Sequence, residues 1–292
     1  MQIFVRKEKN NKFVANRGIL KQRYLVNILV VAILSVQLSC THKVEQHKLF
    51  ALRTSDETGI YFNNTLEETH QMNVLEYQDF YSGGGVSVGD LDGDGLPEVF
   101  FTGNQVPAKL FKNMGKMRFE DITDQAGLGR MGRGWYTGTV MADINGDGHL
   151  DIYISKSGME APDDRANLCF INNGDGTFTE KAKSLGLAHQ GFAVNAAFFD
   201  YDKDGDLDMY LVNQGPRKLK SGNARALRNQ RDTEAGDVLF ENMGNRFEDV
   251  TEEAGLFGSV IGFAHGVSVG DVNNDGWDDI FVSNDFFEYD YL

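Results

Sequence analysis

DLDGDGLPEVFF, residues 90–101, alternates acidic side chains with small ones around two glycines and then runs straight into apolar residues. The same nonapeptide, D-x-[DN]-x-D-G-x-x-[DE], returns as DINGDGHLD from Asp143, DYDKDGDLD from Asp200 and DVNNDGWDD from Asp271. Four copies at comparable spacing exclude coincidence and indicate a repeat architecture. The first six residues also match the start of an EF-hand loop. An EF-hand, however, needs a bidentate Glu at position twelve and flanking helices. Position twelve is apolar in every copy (Phe101, Ile154, Leu211, Val282), and the last acid falls at position nine instead. The flanks read as strands: VSVGD before EVFFTG, TVMAD before DIYIS, AAFFD before DMYLV, VSVGD before DIFVS. An aromatic stands at position eleven each time (Phe100, Tyr153, Tyr210, Phe281), so the strand after each loop is apolar on both faces and must be covered on both.

A second element follows each of the first three hairpins: LFKNMGKMRFEDITDQAGL from Leu110, LCFINNGDGTFTEKAKSLGL from Leu168 and LFENMGNRFEDVTEEAGL from Leu239. Two strands joined by an Asn/Gly turn explain it. Each unit is then four antiparallel strands, which predicts an all-β fold, a β-propeller of four-stranded blades. The blades fall near residues 83–128, 137–187, 193–256 and, in part, 265–292. Small residues ahead of the loops (Gly84, Gly85, Gly138, Asn195, Gly266) suit inner strands crowded around a channel. The 33 glycines beside only 4 prolines agree with many tight turns.

Oxygen donors at positions one, three, five and nine, with the carbonyl of position seven, suit a hard cation, calcium best. The four sets are Asp90, Asp92, Asp94 and Glu98; Asp143, Asn145, Asp147 and Asp151; Asp200, Asp202, Asp204 and Asp208; Asp271, Asn273, Asp275 and Asp279. His149 would supply only its carbonyl. The glycine at position six (Gly95, Gly148, Gly205, Gly276) permits the turn. Carboxylates converging without a cation would repel one another, which makes up to four Ca²⁺ part of folding. The alternative is Asx-rich turns that hold no ion.

These repeats resemble the FG-GAP/VCBS family, related to integrin α-chain propellers, and the propeller part of ASPIC/UnbV proteins. The likeness runs from about Gly59 to the end of the sequence. It implies an exported bacterial protein, often a lipoprotein, with calcium in the blade loops and commonly about seven blades. Three blades and the first hairpin of a fourth are present, and no ASPIC/UnbV C-terminal module follows, so a truncated chain is expected. In related chains a segment like GIYFNNTL, from Gly59, supplies the outer strand of the last blade.

The N-terminus carries its own signal. Residues 1–40 hold seven basic residues and a single acid, although the whole chain has a formal charge of −15. An apolar run from Leu25 to Leu38 follows the basic stretch, too short for a membrane span and suited to a secretory signal peptide. Leu38-Ser39-Cys40 resembles a bacterial lipobox, with Gln37 as a departure from it, which makes Cys40 the expected lipidation site. Residues 41–58 read as a linker. The expected location is therefore the bacterial cell envelope, outer membrane or surface, with the membrane touched only through the lipid anchor. Cys169, between Leu168 and Phe170, reads as a small buried hydrophobe.

The acidic body argues against nucleic-acid partners, and two cysteines exclude a disulfide scaffold. No HExxH, GxSxG or phosphate-loop motif occurs, so no catalytic residue is assigned. His265 with Asp285 and Glu288 could line a channel mouth, although a structural histidine is the simpler reading. Arg130, Arg133, Trp135, Tyr136, Phe192 and Phe263 could form a ligand face, although recurring aromatics more often pack blades together. The leading expectation is a calcium-binding, non-enzymatic scaffold for recognition or adhesion, with a protein or glycan partner. The alternatives are a polysaccharide-active lyase or hydrolase and a nonfunctional truncated fragment.

Overall fold

Each acid loop closes a hairpin, and each hairpin founds a sheet. The computed structural model describes residues 50–131, 134–215, 224–286 and 288–292. Arg53–Leu292 folds as one unit. The first blade comprises β1 (Val86–Gly89), β2 (Glu98–Phe101), β3 (Lys109–Asn113) and β4 (Phe119–Asp121). The second comprises β5 (Trp135–Ala142), β6 (Asp151–Ser157), β7 (Leu168–Asn172) and β8 (Phe178–Glu180). The third comprises β9 (Ala193–Phe199), β10 (Asp208–Asn213), β11 (Val238–Asn242) and β12 (Phe247–Asp249). β13 (Ala264–Gly270) and β14 (Asp279–Asn284) pair as a two-stranded sheet. Within each four-stranded sheet the strands neighbour one another in chain order and run antiparallel. This is the blade architecture expected from the repeats.

The loop sets the register. The residue before position one pairs with position nine in every blade: Gly89 with Glu98, Ala142 with Asp151, Phe199 with Asp208 and Gly270 with Asp279. A slip of one residue would turn the apolar set of the second strand to the wrong face.

Blades meet through their first strands. A Cβ on Gly85 would lie 2.8 Å from the carbonyl oxygen of Thr137, and one on Gly138 would lie 2.3 Å from that of Val194. At Gly85 and Gly138 the backbone of the next blade occupies the space a side chain would need, whereas at Gly266 a Cβ would meet only the Ser283 hydroxyl, at 3.5 Å. Between these strands Thr137 Oγ1 donates to the Ala193 carbonyl at 2.8 Å, and the Ser87 and Thr139 hydroxyls are 3.3 Å apart. The apolar core lies mainly between successive blades. One cluster joins Phe100 and Leu110 to Tyr136 and Ile152, a second joins Tyr153 to Met209 and Leu211, and a third joins Tyr210 and Leu239 to Ala264 and Val282. Of the aromatics at position eleven, Phe100, Tyr153 and Tyr210 are buried, whereas Phe281 is 41% exposed because no described strand covers that face of β14. Cys169 is fully buried as expected, and burial pushes its thiol pKa far up.

The segment before the first blade is ordered against it. The linker expected over residues 41–58 is ordered at its end. Ser55–Thr58 is a helical turn whose Thr54 and Glu57 cap each other reciprocally. Gly59 then adopts φ +82°, and a Cβ there would meet the Phe119 carbonyl oxygen at 2.4 Å. Gly186, at the end of the second blade, adopts φ +80°, and a Cβ there would meet the Phe247 carbonyl oxygen of the third at 2.5 Å. The leading segment thus lies on the first blade as the end of one blade lies on the next. Residues 60–69 form no strand, and the last blade to which the resemblance assigns GIYFNNTL is not among those described. These residues lie against the first blade instead, with Phe62 stacked on Phe101 (centroids 5.0 Å apart) and Asn64 Nδ2 donating to Asn104 Oδ1 at 2.7 Å.

The signal peptide, Cys40 and Arg133 lie outside the described residues, as do residues 216–223 and Phe287. Among the described residues no helix is long and apolar enough to cross a membrane.

Candidate metal-binding loops

All four acid loops leave the C-terminal ends of the innermost strands, so they share one end of the fold. Each is folded by its own side chains. The position-one carboxylate accepts the position-six N–H (Gly95, Gly148, Gly205, Gly276) at 2.8–3.1 Å. Position three accepts the N–H of position five (Asp94, Asp147, Asp204, Asp275), and position five accepts that of position seven (Leu96, His149, Asp206, Trp277). Position six has φ between +84° and +100°, as expected of glycine, and no backbone lies near it. Conformation, not crowding, requires glycine there. Position four is also left-handed, at Gly93, Gly146, Lys203 and Asn274.

Position nine performs a second task that the motif did not disclose. Glu98, Asp151 and Asp208 are buried, and each accepts two backbone N–H groups. One comes from position two of its own loop (Leu91, Ile144, Tyr201), and the other from the end of the third strand (Asn113, Asn172, Asn242). The side chains of those asparagines return the contact, donating to the Pro97, Leu150 and Leu207 carbonyls. Sequence reading took them for turn residues. Their recurrence in KNMG, INNG and ENMG was the signal that they do more. Asp279, which has no described third strand beside it, accepts among the described residues only the Val272 N–H and is less buried. Burial raises the pKa of Glu98 and pushes those of Asp151 and Asp208 up to about 6, against the lowering effect of the backbone donors.

The structure gathers the acids unequally. One oxygen each of Asp90, Asp92 and Glu98, and likewise of Asp200, Asp202 and Asp208, lie within 4.8 Å of one another. Asp94 and Asp204 are not part of these groups, their carboxylates being turned to backbone N–H groups. In the second and fourth loops position three is an amide, so three acids do not gather. Asn145 Nδ2 instead donates to Asp147 Oδ2 at 2.8 Å and holds its pKa low.

The first and third loops differ in what balances the charge. In the first, Lys112 of β3 contacts Asp92 and reaches Asp94 at 3.9 Å. In the third, Asp200 Oδ1 and Asp206 Oδ1 are buried with no hydrogen-bond partner. Burial, then Asp204, Asp202 and Asp200, raises the Asp206 pKa. Lys203 faces away, donating to the Gly276 carbonyl and lying 3.9 Å from the Trp277 ring centre, which ties the third loop to the fourth. An unpartnered carboxylate oxygen beside two more acids is a donor set that a hard cation fits. Asp206 is a further acid there, at a position from which only a carbonyl was expected.

The other candidates separate. Tyr136 is buried in the core between the first two blades, Trp135 packs against Tyr77 and Phe80 of the leading segment, Phe263 packs against His265 and Phe286, and Phe192 lies under the Arg165 guanidinium at 4.1 Å. Arg130 is exposed on the surface. His265 stands 3.7 Å from Asp285, but Glu288 is turned to Arg228.

The comparisons agree with this geometry. A model of the FG-GAP-like repeat matches residues 90–154 and 160–211, and a model of the FG-GAP repeat matches residues 263–291. No curated protein matches the chain. Among solved structures, an Agrocybe aegerita lectin described for specific recognition of non-reducing terminal N-acetylglucosamine shares 17% identity at a TM-score of 0.36. That alignment covers 68% of this chain and 46% of the lectin, a likeness too remote to bear on what this chain binds.

Proposed function

Given that this chain is an FG-GAP repeat protein built of propeller blades, we propose that it is a calcium-stabilised, non-enzymatic scaffold that presents a recognition surface on the bacterial cell envelope. The observation that carries the reading is the third loop, where Asp200, Asp202 and Asp208 each bring one oxygen within 4.8 Å of the others and Asp200 Oδ1 is buried without a partner. Those three with Asp206, and Asp90, Asp92 and Glu98 in the first loop, would hold the ion. When bound it would supply positive charge against converging carboxylates and so couple metal binding to folding. The basic, apolar leader ending at Cys40 supports export and lipid anchoring, and a glycan or protein is the expected partner. Nothing in the motifs calls for catalysis.

A thermal melt of the protein in millimolar calcium and then in excess chelator tests this. A site held at a hundredfold excess of calcium over its Kd contributes about 2.7 kcal/mol. For a unit of this size that corresponds to roughly 5–10 °C in Tm per site. An unchanged Tm in chelator would overturn the reading.

A further inference from the structure

The acid loops occupy the C-terminal ends of the inner strands; at the N-terminal ends lies a cavity of about 220 Å³ to which every blade contributes. We infer that this cavity is a binding site for a neutral, hydroxylated ring of monosaccharide size, an inference that rests on the recognition scaffold proposed above. Its wall combines Thr137 of β5, Asn195 of β9, Gln214 just after β10 and His265 of β13. Tyr77 and Asp79, from the segment leading into the first blade, complete it.

Two amides define its chemistry. Gln214 is only 6% exposed, and its Nε2 is held 3.2 Å from His265 Nδ1. That contact engages only the amide nitrogen, so the Oε1 of this cavity-lining side chain remains as an acceptor for whatever enters. The Asn195 Oδ1 is held by the N–H of Ala196 at 3.0 Å, which leaves its NH₂ as a donor. A hydroxyl group both donates and accepts, and so satisfies such a pair at once. Tyr77, set edge-on against Trp135 at 5.2 Å between centroids, supplies an apolar flank suited to the C–H face of a ring.

Charge and size narrow the occupant. No Lys or Arg lines the cavity among the described residues, which favours a neutral occupant over acidic sugars and phosphates. The volume lies below the roughly 300–1,000 Å³ of sites for drug-sized ligands. That admits one ring, free or at the end of a longer glycan.

Saturation-transfer NMR on the calcium-loaded protein tests the site, with D-glucose, D-galactose and D-mannose as separate probes and D-glucuronate as the anionic comparator. At least one neutral hexose should give transfer and glucuronate should not. Asn195→Ala and Gln214→Leu should each reduce the signal at least fivefold without moving the calcium-loaded Tm. If Gln214→Leu fails to fold, the half-buried Asn195→Ala carries the test. No transfer from any hexose, equal transfer from glucuronate, or signal unchanged in the variants would overturn the site. A chelator-sensitive melt beside any of these results would leave the scaffold standing. Hexose transfer abolished by the variants beside a chelator-insensitive melt would support the site and sink the calcium reading.

Discussion

Asp237 is buried against β10, where one carboxylate oxygen accepts the N–H of Asn213 at 2.8 Å and the other the Tyr210 hydroxyl at 3.2 Å. Burial outweighs both donors and pushes its pKa up to about 7. An unfolded Asp titrates near about 4. Between those values the native chain holds a proton that the unfolded chain releases, so this contribution is complete below about pH 4 and is lost as pH rises through about 7. Asp237→Asn should remove the slope and stabilise the protein at pH 8 relative to pH 5 by about 2 kcal/mol or more. Urea melts of both proteins at the two pH values would show it; parallel pH dependences would refute the assignment. Lys112 offers a second test. It neutralises Asp92 in the first loop without being a ligand. Lys112→Met should therefore tighten calcium at that loop by roughly two- to tenfold, read by titration calorimetry. Weaker binding would mean that the lysine shapes the loop instead.

At the scale of the element, the loop motif and the hairpin are one object. Position one folds the turn, position nine pins it to the third strand, and the pairing of the residue before position one with position nine fixes register. The strand pattern was legible because each second strand is apolar on both faces and each outer hairpin carries its Asn/Gly turn. The buried asparagines were not legible as pins, since a turn asparagine and a pinning asparagine look alike in sequence. Nor was the left-handed position four, which reads Gly, Gly, Lys and Asn. Gly138 tests the element boundary. Its missing Cβ leaves room for the Val194 carbonyl, so Gly138→Ala should force β5 and β9 apart and cost about 1–3 kcal/mol. Gly95→Ala would instead strain a turn in open space; similar destabilisation at the two sites but loss of metal affinity only at Gly95 would separate crowding from conformation.

Across the whole molecule, blades are joined by more than apolar packing. Arg165, 5% exposed, donates to the Glu160 and Gln190 carbonyls, pairs with Glu234 at 2.9 Å and stacks over Phe192, so it clamps the second blade to the third. Arg165→Ala should cost about 2–3 kcal/mol, mainly through lost hydrogen bonds and packing, because Glu234 can return to water. Chemical denaturation would measure it, and a change below about 0.5 kcal/mol would show the clamp to be dispensable.

The sequence by itself determined the repeat, the strand pairs and the residues that could meet a cation, because each is a local pattern recurring at fixed offsets. It also marked the glycines at the blade centre. Tertiary structure decided what depends on neighbours distant in the chain. It made the third loop the more strongly charged site, since Lys112 reaches only the first. It placed Gln214, Asn195 and His265 around one cavity, although no motif links them. It also turned the residues ahead of the first blade into a copy of a blade's end. Local spacing sets which side chains a turn can gather; only the packing of blade on blade sets which of them remain unpaired.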